Sequence, residues 1–73
     1  MASAVVFYNS EEDGKKILGK LQEQFPVLKE PHTQPVIGEQ FGQKCMVFSV
    51  CPPGVQMMCV FAMQAGAASA SVR

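Results

Sequence analysis

Charged positions divide the chain. Residues 1–10 and 45–72 carry no charged side chain, while residues 11–44 hold every Asp, Glu, Lys and Arg except Arg73. The middle of the chain is therefore built for water, and the two flanks for burial or for contact. Within the first flank, Ala2–Tyr8 predicts a strand: Val5, Val6, Phe7 and Tyr8 are strand formers, and their continuous run suits a strand covered on both faces. Ser10 then stands where a helix N-cap would, ahead of Glu11, Glu12 and Asp13, which suit the positive end of a helix dipole. Ile17, Leu18, Leu21 and Phe25 recur at three- and four-residue spacing and form one apolar helix face. Lys15, Lys16, Lys20, Gln22 and Gln24 cover the other, and Pro26 ends the helix near Phe25. Gly14 and Gly19 weaken the helix, each by about 1 kcal/mol relative to Ala; Gly19 suits close packing. Residues 26–43 read as the loosest part, broken by Pro31, Pro35, Gly38 and Gly42, with Val36-Ile37 as a short edge strand.

The second flank is the larger reserve of apolar surface. Its two runs, Cys45–Cys51 and Val55–Met63, are hinged at Pro52-Pro53-Gly54. The expected arrangement is a β-hairpin, joined by a type II turn centred on Pro53-Gly54, by a three-residue loop Pro52–Gly54 or by a four-residue loop beginning at Cys51. Alternation places Met46, Phe48 and Val50 on one face of the first arm and Cys45, Val47, Ser49 and Cys51 on the other. Both faces of both arms are apolar, and one helix can cover only one of them. Residues 65–73, rich in Ala and Ser, read as a flexible tail beyond a single domain of residues 1–64. The expected fold class is α+β: strand, helix, short strand, strand, strand, with one helix packed on a mixed sheet that ends in the hairpin.

Composition narrows function mainly by exclusion. At 73 residues the chain makes one domain, and so small a domain often needs a staple or a partner. Six basic and six acidic side chains cancel, which argues against nucleic acid as a partner, since phosphate binding needs a positive excess. Zero net charge also leaves the chain without protection against self-association.

Candidate chemistry is sparse. Cys45, Cys51 and Cys59 with His32 make an acceptable zinc donor set by type, but their spacing has no Cys-x-x-Cys knuckle. Buried free thiols in a reducing intracellular compartment, the cytoplasm or an organelle interior, are the simpler expectation. Ala4–Tyr8 leading into a helix resembles the first strand and active-site turn of thioredoxin-like folds. That resemblance covers roughly the first 25 residues and implies Cys-x-x-Cys at the turn, where this chain has Asn9-Ser10-Glu11-Glu12. Gly38-Glu-Gln-Phe-Gly42 lacks the Lys-Ser/Thr of a phosphate loop and reads as a connector. The uncharged stretch Cys45–Met63 approaches the length of a membrane span, yet Pro52-Pro53-Gly54 and Gln56 oppose a single spanning helix.

The functional expectation is a non-catalytic interaction module or accessory subunit, without cofactor. It would bind another chain or itself through the face bearing Met46, Phe48, Val50, Met58 and Val60, while Val47, Cys59 and Phe61 face the helix. The alternatives are a degenerate thioredoxin-like or metal/thiol redox protein using Cys45, Cys51 and Cys59, and a small membrane-embedded subunit.

Overall fold

The computed structural model describes residues 2–50 and 54–73. The chain forms β1 (Ala2–Tyr8), α1 (Glu11–Gln24), two 3-10 turns (Pro26–Lys29 and Pro31–Thr33), β2 (Val36–Gln40), β3 (Gln43–Val50), α2 (Gly54–Gln64) and β4 (Ser69–Val72). The class is α+β. The strands lie in the order β2-β3-β1-β4, and every neighbouring pair is antiparallel. This is a pair of interleaved split β-α-β units, the ferredoxin-like arrangement.

Several local reasons are visible in the sequence. The Ser10 hydroxyl accepts from the Asp13 N–H at 3.1 Å, as an N-cap should. Phe41 and Gly42 both have positive φ, 54° and 75°, which is the signature of the two-residue type I′ loop that joins hairpin strands. The segment expected to be loosest is in fact tied down. The side-chain amides of Gln22 and Gln34 both donate to the Leu28 carbonyl, at 3.3 and 3.1 Å, and Thr33 Oγ1 donates to Val27 and Glu30 carbonyls. Leu28 itself is fully buried.

The second flank departs from expectation. Val55–Met63 is helical, so the hairpin arm predicted there does not exist; among the described residues the hairpin is β2–β3. Val55, Met58 and Ala62 point into the core, with Cys59 and Phe61 half-buried beside them. An uncharged run fits a period of 2 and of 3.6 equally well, and here Met and Ala, good helix formers, decide. Of the turn expected at Pro52-Pro53-Gly54, Gly54 instead opens α2, and the two prolines lie outside the described residues.

The sheet is not mixed either, because β3 enters between β1 and β2. Nor do residues 65–73 form a flexible tail. β4 pairs with β1, and Ser3 and Arg73 exchange both backbone hydrogen bonds at 2.8 Å. What makes the return is Gly66, at φ 108°. Its N–H donates to Met63, and the Ala67 N–H reaches back to Ala62, which together form a Schellman cap.

Both helices lie on one face of the sheet. The main core gathers Ala4, Val6 and Tyr8 of β1, Met46 and Phe48 of β3, Ile17 and Leu21 of α1, and Val55, Met58 and Ala62 of α2. Phe25 and Phe61 meet edge to face, with centroids 5.7 Å apart, and so join the end of α1 to α2. On the opposite face a second, small cluster holds only strand residues: Val5, Phe7 and Cys45, with Val47 alongside.

Candidate interaction surface

The structure redistributes the apolar residues singled out for contact. Met46, Phe48 and Met58 are each about 1% exposed and belong to the chain's own core. The side chain of Val50 lies outside what the structure describes. Val60, on α2, remains 47% exposed. The faces of β3 are also exchanged relative to expectation: Met46 and Phe48 turn toward the helices, and Val47 turns away from them. Of the two other residues expected to face the helix, Cys59 and Phe61 do pack against the main core, but from α2 itself.

Apolar exposure gathers instead on the outside of α2. This helix has 11 residues, none charged. Its inner stripe is used, yet Met57, Val60 and Met63 stay half-exposed on the other side, accompanied there by Gln56 and Gln64. A surface helix ordinarily sets charges opposite its apolar stripe; α2 does not. At its C-terminal end the face borders a groove of about 550 Å³, lined by Lys15, Lys16, Gly19, Lys20 and Glu23 of α1 together with Gln64 and Ala65. The apolar ridge therefore has a polar margin on the α1 side, as interface patches commonly do. Of Met57, Val60 and Met63, Val60 alone belongs to the contact set expected from the sequence; an uncharged run gives no contrast by which to place Met57 and Met63.

A second exposed apolar set lies at the other end of the sheet. Val36 and Ile37 of β2 are 71% and 59% exposed, and Phe41 at the loop tip is 93% exposed. Phe41 also holds a left-handed backbone that aromatic residues seldom adopt.

The candidate ligands for a metal do not converge. Cys45 is buried in the strand-only cluster, whereas Cys59 packs on the helix side, so the sheet separates them. Both are free thiols. Burial pushes the Cys59 thiol above its ordinary value of 9.0, which keeps it protonated and weakly nucleophilic. His32 is exposed in the second 3-10 turn, with Nε2 3.3 Å from a Glu30 carboxylate oxygen. Cys51 lies outside the described residues. Among the described residues no group of three or more His, Cys, Asp or Glu is placed to hold a metal ion. Among them, too, no helix is long and apolar enough to cross a membrane.

No protein-family model, no curated protein and no solved structure matches this chain. The split β-α-β arrangement hosts many unrelated functions, so function must be argued from the surface itself.

Proposed function

We propose that this protein is a non-catalytic association module, and that the outer face of α2 binds the same face of a second copy. One observation carries the reading: a surface helix with no charge, whose outer side presents Met57, Val60 and Met63 half-exposed. Methionine adapts to an irregular partner surface. The choice of a second copy rests on charge. The residues of the ridge itself carry no charge with which to orient a charged partner, whereas another α2 is equally neutral and self-complementary about a two-fold axis. The chain's zero net charge adds no repulsion between copies.

Magnitudes set the strength. Covering three half-exposed side chains on each of two protomers is worth roughly 5–9 kcal/mol. Association itself costs about 4–15 kcal/mol in lost freedom. The helix is only about 17 Å long, too small for a standard interface of about 800 Å² per partner. The dimer is therefore weak and concentration-dependent. Sedimentation velocity on Val60→Asp tests it. The variant should keep the wild-type circular dichroism and lose the concentration dependence. A variant that associates as the wild type does removes α2 from the interface.

A further inference from the structure

The unpaired edge of β2 and the groove beside it form a second, separate surface. β2 ends the sheet, pairing with β3 alone among the described residues. Gln40 opposes Gln43 across the two-residue loop, so these two exchange both hydrogen bonds, and the antiparallel alternation follows from there. Gly38 and Val36 bond inward to β3. Glu39 and Ile37 therefore turn both N–H and C=O outward, two residues apart.

Side chains on this edge alternate likewise. Ile37 opposes Met46 and shares its face, the helix side of the sheet. α1 does not reach over β2, and between them runs a groove of about 200 Å³ floored by Tyr8, Gly14, Leu18, Ile37 and Met46. Its surface is mostly apolar, with Glu11 and Lys15 at the rim. Small-molecule sites run to roughly 300–1,000 Å³; this groove has room for a single side chain. Glu39 lies on the same face, opposite Lys44 on one side and open on the other.

We propose that the β2 edge binds an extended peptide by antiparallel strand addition. The peptide seats one apolar side chain in the groove beside Ile37 and a lysine or arginine, two residues earlier, beside Glu39. The residue opposite Ile37 would exchange both outward hydrogen bonds, which places its side chain on the groove side. The cation would complete a Lys44–Glu39–cation row, an opposite-charge cross-strand pair.

A second copy fits this edge poorly in the registers centred on residues 37, 38 and 39. With Ile37 opposite Ile37, Glu39 meets Pro35, which has no N–H to give. With Ile37 opposite Glu39, a carboxylate lies over the apolar groove. With Glu39 opposite Glu39, like charges face each other.

The test uses fluorescent hexapeptides of the pattern serine-lysine-threonine-X-threonine-serine, with X leucine, methionine, phenylalanine or aspartate, read by anisotropy. Amide hydrogen exchange is followed in parallel. At least one of the three apolar peptides should bind below about 1 mM, the aspartate peptide at least about tenfold more weakly, and the Ile37 and Glu39 amides should gain protection. Ile37→Pro removes an outward N–H without breaking the ladder, an edge position where proline is tolerated, and should abolish binding with circular dichroism unchanged. Should that variant not fold, exchange at Ile37 and Glu39 in the wild type decides. Failure of all apolar peptides to bind, or binding without protection of those two amides, overturns the proposal. So does protection that rises with protein concentration alone, which would mean that a second copy occupies the edge. Val60→Asp should bind the peptide as the wild type does, so the two surfaces succeed or fail independently.

Discussion

The two helices pack on the same face of the same sheet, yet only one is finished for water. α1 opens on a Ser10 cap and three acidic residues, buries Gly14, Ile17 and Leu21, and turns Lys15, Lys16, Lys20 and Glu23 outward. α2 buries Val55, Met58 and Ala62 and turns Met57, Val60 and Met63 outward without a single charge. Both meet the demands of the core equally well. What separates them is the side that folding does not require, and the proposed function rests on that side.

Phe48→Asp should have the largest effect on the pair. Phe48 is about 1% exposed beneath both helices, and an unpaired carboxylate there should cost upwards of about 4 kcal/mol. Such a loss approaches the whole stability of a small domain, so far-ultraviolet circular dichroism should show an unfolded chain. A folded Phe48→Asp would mean that the core does not run under both helices.

The glycines sharpen the contrast within α1. A Cβ on Gly14 would lie 2.5 Å from Tyr8 Cε2, whereas one on Gly19 meets nothing within 4 Å. In urea melts Gly14→Ala should therefore lose about 1–3 kcal/mol to overpacking, less the gain of helix propensity. Gly19→Ala should gain up to about 1 kcal/mol. At the end of α2, Gly66→Ala forces a side chain into positive φ and should cost about 1–2 kcal/mol. Equal effects at 14 and 19 would contradict the close approach of α1 to Tyr8.

The smallest effect is on pH. Tyr8 is raised above 10.0 by burial, with Cys45 and Glu11 nearby adding to it, and Cys59 is raised above 9.0 by burial. Each group loses its proton more readily in the unfolded chain. Between the unfolded and folded values the native state holds more protons, so stability falls as pH rises. Below pH 9.0 this contribution is fully present. Thermal melts should be flat from neutral to mildly alkaline pH and then decline, and Cys59→Ala should delay the onset.

Much of the sheet was legible in the residues. Ala2–Tyr8, the Ser10 cap, the stop before Pro26 and the Val36-Ile37 edge all rest on local chemistry that the fold does not override. α2 was not legible, because a run without polar residues has no contrast from which to read a period; Gly66, just beyond it, was the one available stop signal. Read as a strand, that run leaves no place for a further strand, and Ser69–Val72 then reads as a tail. With only one helix to cover the sheet, Met46 and Phe48 are left over for contact; the second helix covers them. Val60 kept its place outside under either period.

The proposed dimer forms through α2 of two copies. The most direct measurement is the molar mass of the wild-type protein by light scattering, from low micromolar to about 1 mM. The mass should rise from 7.9 kDa toward twice that value and level off there. A mass that stays at 7.9 kDa throughout contradicts the claim.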